Sequence, residues 1–316
     1  MVIVRVIPKC WRLPSSHTSS PGVEQEKKEA AAMLKLMRPH QWVKNGFLFM
    51  GLVFGHGWSE PSLVQAVLLA FVAFCLASST VYVLNDLHDV AEDRLHPSKR
   101  FRPIASGAVS EHQARLLGIL LAVASLALAW AANPPVAGYV LAYLVLNVAY
   151  TLHWKQIVLL DIFCISAGFM LRILAGTDGV DIPPSNWLLF CGLWATLFLG
   201  FIKRRAELME MCGHGAEHRK VLGDYSPELL DKLIGITCTG MILSYSLYTM
   251  DVDVRRIHDS DDLIFTVPFV IYACFRYLFL LHQETGGGDP SRDLLKDRHI
   301  LAAGSLWLLV TLYMVT

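Results

Sequence analysis

The sequence predicts an all-α membrane protein with nine transmembrane helices. Of its 316 residues, 54% are hydrophobic and only 17% are charged, and the mean hydropathy is positive. This composition is too apolar for an ordinary soluble domain. A transmembrane helix needs about 20 mostly apolar residues, and nine segments approach that length. They cover, roughly, residues 43–58, 62–84, 116–132, 135–152, 157–175, 186–203, 233–250, 263–281 and 299–315.

The first of these segments differs from the others. It is short and carries several glycines, among them Gly46, Gly51 and Gly55, and glycine weakens the interior of a helix. We therefore expect this segment to be tilted or half-buried rather than to cross the bilayer as a regular helix.

Residues 1–37 form a separate N-terminal region. Arg5, Lys9 and Arg12 interrupt any apolar run that could act as a signal peptide. We interpret this region as a cytoplasmic arm followed by a short surface helix that ends near Met37. Residues 38–316 then form the transmembrane domain.

The loops divide into basic and non-basic sets. Loops after the second, sixth and eighth segments carry several Lys and Arg residues, and the loop after the fourth carries Lys155. Those after the first, third and fifth carry none, and the loop after the seventh carries only Arg255 and Arg256. Basic loops stay on the cytoplasmic side, so the N-terminus and the two long loops, roughly residues 85–115 and 203–232, are predicted to be cytoplasmic. The net charge is zero, and we expect no nucleic-acid partner. The sequence leaves open whether the chain is a homo-oligomer.

A dense run of charge follows the second apolar segment. On a helix, Asn85, Asp89 and Asp93 are four residues apart and share one face, with Asp86 beside them. Several oxygen-bearing side chains at the end of a membrane helix suit Mg²⁺. The alternative is a solvated helix end with acidic surface residues. We favour the metal site, because polar groups that directly follow a long apolar run usually have a function.

Basic residues come next in the same loop. Lys99, Arg100 and Arg102 suit phosphate, although a membrane anchor or a lipid-headgroup contact predicts bases here as well. Lys44, beside Trp42 at the start of the first segment, is either an interfacial anchor or a ligand for phosphate.

Two charged residues lie within the fifth apolar segment, where charge is costly unless it is paired or faces a polar cavity. Asp161 and Arg172 are eleven residues apart, about three helical turns. We expect them to face one polar cavity rather than to pair with each other. Arg276 in the eighth segment is a similar case, and the sequence assigns it no partner.

Further candidates stand at segment ends. Lys203, Arg204 and Arg205 end the sixth segment, where they form either a common membrane-end basic run or a site that neutralises a polyphosphate. Tyr150 and Lys155 close the fourth segment, and Tyr225 is a candidate lid contact. His214 and His218 lack a third ligand, so we interpret them as loop residues rather than a zinc site. The seven cysteines contain no C-x-x-C pair, which favours packed thiols.

The acidic motif and its surroundings resemble the UbiA-type intramembrane prenyltransferases. Asn85-Asp86-x-x-Asp89-x-x-x-Asp93 is similar to the first aspartate-rich motif of that superfamily. The decaprenyl-phosphate phosphoribosyltransferase branch is the closer resemblance, carried by residues 38–45, 85–107, 150–176 and 203–208. Where other members have a second aspartate-rich motif, this sequence has Lys203-Arg204-Arg205. That difference disfavours a second metal and favours a donor with a separate phosphate.

The resemblance implies a UbiA-like bundle with a cytoplasmic active-site cavity in the inner membrane. It also implies the reaction: a polyprenyl phosphate attacks C1 of 5-phosphoribosyl 1-diphosphate and releases diphosphate, in the synthesis of cell-envelope polysaccharide precursors. The alternatives are a UbiA-type prenyltransferase acting on an aromatic acceptor and a non-enzymatic carrier of polyprenyl lipid. Membrane lipid is a partner in every case.

Roles for the candidate residues follow as hypotheses. Asn85 and Asp89 are expected to hold Mg²⁺, supported by the neighbouring catalytic carboxylates Asp86 and Asp93. The expected ligands of the donor phosphates are Lys44, Lys155, Arg172, Lys203, Arg204 and Arg205. Lys99, Arg100 and Arg102 are expected to bind the acceptor phosphate or the donor. Tyr82 and Tyr150 would supply hydroxyls or ring faces, and Asp161 would orient a base or the ribose.

Overall fold

A computed structural model describes residues 21–55, 57–213, 223–258, 262–283 and 297–315. Every regular element in these ranges is a helix. The arm over residues 1–20 and the pair His214 and His218 lie outside the described residues. The α-helices are α1 (Pro21–Met37), α2 (Met50–Phe54), α3 (Pro61–His88), α4 (Val90–Leu95), α5 (Glu111–Ala132), α6 (Pro134–Leu152), α7 (Leu160–Ala175), α8 (Asn186–Gly213), α9 (Pro227–Met250), α10 (Val252–His258), α11 (Val267–His282) and α12 (Arg298–Val315).

Within the described ranges, seven helical segments are long and apolar enough to cross a membrane. These are Pro61–His88, Glu111–Ala132, Pro134–Leu152, Leu160–Val180, Asn186–Met209, Pro227–Met250 and Asp262–His282. The C-terminal helix α12 is apolar but shorter. A multi-pass helical membrane protein is therefore confirmed, whereas the predicted number of nine spans is not.

The first predicted segment is a broken helix. A 3₁₀-helix over Pro39–Phe49 leads into the five-residue α2. A Cβ built on Gly176 would lie 1.9 Å from the carbonyl oxygen of Leu48, and one built on Gly51 would lie 2.1 Å from that of Gly176. This broken segment therefore packs backbone to backbone against the end of α7, and only glycine fits at both positions.

Proline and serine mark several helix starts. Pro61, Pro134 and Pro227 occupy the first turns of α3, α6 and α9, where a missing N–H is no loss. Ser110 caps α5 in a reciprocal capping box with Gln113. Proline or a capping serine thus marks the start of these four spanning helices.

The apolar interior has two main parts. One lies among α3, α6 and α7 around Phe74, Val140 and Leu48, and the other lies among α8, α9 and α11 around Phe198, Ile234 and Leu281. Many large apolar side chains outside these clusters are exposed, as expected for a surface that faces lipid. A smaller cluster docks Leu36 of α1 against α3 and α5.

Polar contacts gather at one end of the bundle. Here α3, α6 and α8 end and α5, α7 and α9 begin, and we call this end the motif face. It carries the acidic motif and the turn between α6 and α7.

Candidate active site

The acidic motif bends at its centre but keeps a helical register. Helix α3 ends at His88 and α4 begins at Val90. The amide of Asp89 still donates to the carbonyl of Asn85, and that of Asp93 to the carbonyl of Asp89. The predicted four-residue spacing therefore survives the break between the helices.

Two acids of the motif are buried in ion pairs. Asp86 accepts from Arg38 at 2.6 Å and from Arg102 at 3.2 Å, and Arg102 also donates to Asp93 at 2.7 Å. Both carboxylates are almost inaccessible, while the two arginines are about a quarter exposed. Arg38 also lies over the ring of Tyr82, 5.0 Å from its centroid. Asp86 and Asp93 thus hold two arginines at the edge of the motif face.

The other two motif residues contact the end of α6 and the turn that follows it. Thr151 donates to the side-chain oxygen of Asn85 at 2.5 Å. Lys155 donates to Asp89 at 2.9 Å, and the Asp89 side chain is 27% exposed. Asp89 is therefore the accessible carboxylate of the motif, and a cation already lies against it.

A buried guanidinium lies deeper in the bundle. Arg172 donates to the Asn45 side chain at 2.7 Å, to the Gly168 carbonyl at 2.7 Å and to the Tyr143 hydroxyl at 3.0 Å. Its planar group lies over the rings of Tyr143 and Phe169. Neutral acceptors and aromatic faces thus accommodate this charge.

A second polar centre lies where α7 begins and α8 ends. Asp161 is fully buried, accepting from Arg204 at 2.6 Å and from the Tyr225 hydroxyl at 3.0 Å. Arg204 also pairs with Glu207. Burial raises the pKa of the Tyr225 hydroxyl to about 12, so Tyr225 remains a hydrogen-bond donor at neutral pH.

The sequence over the first five spanning helices decides the family. Residues 46–210, just over half of the chain, match the UbiA prenyltransferase family. The chain belongs to this family.

Curated relatives extend the match to nearly the whole chain. The decaprenyl-phosphate phosphoribosyltransferase of Mycolicibacterium smegmatis is 34% identical over 308 residues, which cover 93% of this chain and 95% of that protein. The enzyme of the same name from Corynebacterium glutamicum is 33% identical over 311 residues, covering 93% and 91%.

Solved structures share the UbiA fold at lower identity. A UbiA homologue from Archaeoglobus fulgidus bound to GPP and Mg²⁺ superposes with a TM-score of 0.66 at 18% identity. The match covers 90% of this chain and 98% of that one. The same homologue bound to DMAPP and Mg²⁺ gives 0.67. The helical arrangement described above is therefore that of the UbiA family.

The donor set of this UbiA site fits Mg²⁺. No group of three or more His, Cys, Asp or Glu residues within the described ranges could hold a metal by itself. Asn85 and Asp89 offer one amide oxygen and one carboxylate on the same face. Mg²⁺ commonly takes one or two protein carboxylates and completes its octahedron with water and substrate phosphates, so this small set is sufficient.

The remaining sequence-predicted residues differ in how far their side chains are exposed. Lys44, Lys99 and Arg100 are exposed, and Tyr150 is half-buried. Lys203 is 58% exposed and 3.9 Å from Glu207, whereas Arg205 pairs with Asp231 at 2.5 Å. Of the three consecutive bases, Lys203 is thus the one whose side chain is largely open to solvent.

Two sequence-based expectations need correction. Asp161 and Arg172 do not face one common cavity, because each lies in its own buried centre with different partners. The prediction that Asp161 and Arg172 do not pair with each other agrees with their observed partners. Asp161 and Arg204 were also expected at the substrate, but both are buried and each binds the other, so neither presents an open group. The cause is tertiary, since the two residues are 43 positions apart.

Sequence reasoning missed several residues of these centres. Arg38 and Asn45 stand in the stretch 38–45 that carried the family resemblance, but nothing local indicates their partners in α3 and α7. Thr151, between Tyr150 and Lys155, was also unassigned. Arg276 gains a partner in Asp297, at 2.8 Å.

Proposed function

We propose that this chain transfers a 5-phosphoribosyl group from 5-phosphoribosyl 1-diphosphate to a polyprenyl phosphate, with Mg²⁺, and releases diphosphate. The observation that carries the proposal is the match over 93% of the chain to relatives named decaprenyl-phosphate phosphoribosyltransferase. The site supports it, because Lys155, Arg38 and Arg102 all bind carboxylates of the acidic motif, and the described part of the chain holds no group of three or more His, Cys, Asp or Glu that could bind a metal.

The proposed reaction needs no general base. An oxygen of the acceptor phosphate forms a bond to C1 of the ribose, and the bond from C1 to the diphosphate oxygen breaks with its electron pair leaving on diphosphate. A phosphate monoester is already an anion at neutral pH, so its attacking oxygen needs no proton removed. The protein's task is to position two anionic reactants and to stabilise the departing diphosphate.

Asn85 and Asp89 would hold Mg²⁺ on the donor diphosphate. Bound there, Mg²⁺ would neutralise charge on the leaving group. Thr151 fixes the orientation of the Asn85 amide by donating to its oxygen. Lys155 lies close enough to Asp89 to reach the same diphosphate, where a fixed cation stabilises developing negative charge.

The arginines held by Asp86 and Asp93 define a second cationic region. Arg38 and Arg102 use part of their donors on these carboxylates and remain about a quarter exposed. A guanidinium presents five donors in a rigid fork suited to phosphate. We assign them, with the exposed Lys99 and Arg100, to the second phosphate of the donor or to the acceptor phosphate. Asp86 and Asp93 then act by positioning these arginines.

The proposal includes the orientation in the membrane. The basic loops and the motif face lie at the same end of the bundle, which the positive-inside rule assigns to the cytoplasm. The broken segment over residues 39–54 and the shorter α12 would complete nine crossings of the inner membrane. A cysteine-accessibility assay on Leu95→Cys, an 88% exposed position of α4, should label only from the cytoplasmic side.

A two-substrate assay tests the reaction. Purified protein is incubated with 5-phosphoribosyl 1-diphosphate labelled in the ribose and with a polyprenyl phosphate, with and without Mg²⁺. The label should pass into the organic phase only when acceptor and Mg²⁺ are both present. Label that stays in the aqueous phase when folded protein, acceptor and Mg²⁺ are all present would refute the proposal.

A prenyltransferase acting on an aromatic acceptor is the second candidate. A 4-hydroxybenzoate octaprenyltransferase from Nitrosococcus oceani is 32% identical, but over only 49% of this chain. Incubation with a prenyl diphosphate and 4-hydroxybenzoate distinguishes the two functions, since only a prenyltransferase consumes the prenyl diphosphate. A passive carrier would show neither reaction while moving polyprenyl lipid between leaflets of liposomes.

A further inference from the structure

The turn between α6 and α7, residues 153–159, has few buried apolar contacts: of its apolar side chains, only Val158 is partly buried, and it packs against the cluster among α8, α9 and α11. Trp154, Ile157 and Leu159 are 37%, 49% and 39% exposed. Segments with few buried contacts are held by their polar contacts or open locally. Besides the turn's local backbone hydrogen bonds, two polar contacts join it to distant described residues, one through the side chain of Lys155 and one through the backbone N–H of Leu159.

Leu159 has an unfavourable backbone conformation. Its φ of 68° and ψ of −45° lie in a region that L-residues rarely adopt and that persists only where the surroundings enforce it. Its N–H donates to the hydroxyl of Tyr225 at 2.7 Å. That hydroxyl is therefore a direct restraint on the strained residue.

Tyr225 is itself firmly held. It is 4% exposed, and its hydroxyl donates to Asp161, whose second oxygen accepts from Arg204. One hydroxyl thus connects the buried ion pair of α7 and α8 to the turn that carries Lys155. The restraint comes from the segment that precedes α9, far from Lys155 in sequence.

We propose that Tyr225 is a positioning residue that, through Leu159, sets the place of Lys155 beside Asp89. The assignment rests on the proposed function, in which Lys155 binds the donor diphosphate. The buried Asp161–Arg204 pair takes part in this positioning, because Asp161 accepts the hydrogen bond that holds the Tyr225 hydroxyl. Tyr225 touches no substrate and acts only through the turn.

A double-mutant cycle tests this role. The variants are Tyr225→Phe, Lys155→Met and the two combined, and the readouts are kcat and KM for 5-phosphoribosyl 1-diphosphate. Tyr225→Phe should lower kcat/KM by roughly 10- to 100-fold, as misplacement of a binding group does. Added to Lys155→Met, it should cost less than about twofold, because the group it positions is already absent.

Tyr248→Phe is the matched control. Its ring is also buried, but its hydroxyl has no hydrogen-bond partner among the described residues. Removing that hydroxyl should leave kcat/KM unchanged. Leu159→Gly adds a rescue test, because glycine adopts positive φ without a Cβ clash. Tyr225→Phe should lose less activity in the Leu159→Gly background than in the wild type.

The outcomes separate the two proposals. Fully multiplicative losses in the cycle, no loss in Tyr225→Phe, or no rescue by Leu159→Gly would each overturn the positioning role. A Lys155→Met variant with wild-type kinetics would remove Lys155 from the site and would overturn the positioning role as well. A wild type that transfers no phosphoribosyl group would instead overturn the proposed function. Thermal denaturation of each variant shows whether a loss of activity reflects unfolding, and the Leu159→Gly rescue decides the case of an unstable Tyr225→Phe.

Discussion

Lys155 donates a 2.9 Å hydrogen bond to Asp89 from a turn 66 residues further along the chain. This contact joins the most accessible carboxylate of the motif to a lysine whose flexible side chain can also bind a phosphate. It places the candidate metal ligand and the candidate leaving-group ligand at one point. In the proposed reaction, Mg²⁺ held by Asp89 and the ammonium group of Lys155 would both stabilise the departing diphosphate.

Asp89→Asn should remove Mg²⁺-dependent transfer while leaving the fold intact. The amide keeps the size of the side chain but lacks the negative charge that favours a hard cation. We expect a loss of at least the roughly 10- to 100-fold seen when a group supporting a metal is removed. Initial rates against Mg²⁺ concentration measure it.

Asp181→Asn is the control for Asp89→Asn. Asp181 is exposed at the opposite end of the bundle, bonded to Asn133, and its φ of 63° suits asparagine. It should retain wild-type rates. Equal rates for Asp89→Asn and Asp181→Asn would remove Asp89 from the site.

Asn45→Ala should destabilise the protein. The substitution takes away the acceptor for the Nε–H of Arg172, leaving a charged donor unsatisfied in a buried position. Such a loss costs about 1–3 kcal/mol or more. Thermal unfolding in detergent should show a clear decrease in the midpoint. Asn133→Ala, which breaks an exposed hydrogen bond, should show little, and equal midpoints in the two variants would contradict the burial argument.

The sequence was informative about the spans because an apolar run of sufficient length permits few structures. The prediction of 135–152 compares with α6 at Pro134–Leu152, and 62–84 compares with α3 at Pro61–His88. For the broken segment at 39–54, the sequence predicted an irregular helix but not where it breaks or what it packs against. Its geometry depends on contact with Gly176, which no local pattern contains.

The partners within the site were less accessible to sequence reasoning. Acidic and basic residues at one membrane face could be recognised as a set from their loops. Which base binds which acid depends on how distant segments meet: Arg38 lies 48 residues from Asp86, and Arg204 lies 43 from Asp161. Burial then decides whether a charge is available to substrate, and burial is a property of the packed helices.

Gly176→Ala should disrupt the docking of the broken segment. Its new Cβ would lie 1.9 Å from the Leu48 carbonyl oxygen, so backbone must move. Overpacking costs about 1–3 kcal/mol and more where the backbone shifts. Gly46→Ala lies in the same segment with nothing within 4 Å of the new Cβ, and it should be tolerated. A wild-type unfolding midpoint for Gly176→Ala would show that the close approach does not exist.

Asp297→Asn should destabilise the start of α12 in a pH-dependent way. The hydrogen bond from Arg276, with further donors from the backbone at the helix start, lowers the pKa of Asp297 to about 2. The ordinary value is about 3.9. The stabilisation is therefore complete above the ordinary pKa and is lost as pH falls through the lowered one.

The unfolding midpoints of wild type and Asp297→Asn should thus differ most from about pH 5 upward, and the difference should shrink below about pH 4. Asp253→Asn is the control. The Asp253 side chain is 83% exposed, and its ion pair with Arg256 is long, at 3.7 Å. An exposed pair of this kind contributes little to stability. It should unfold like the wild type at every pH. A midpoint difference for Asp297→Asn that stayed constant from pH 8 to pH 3 would mean that the carboxylate's charge does not act through Arg276.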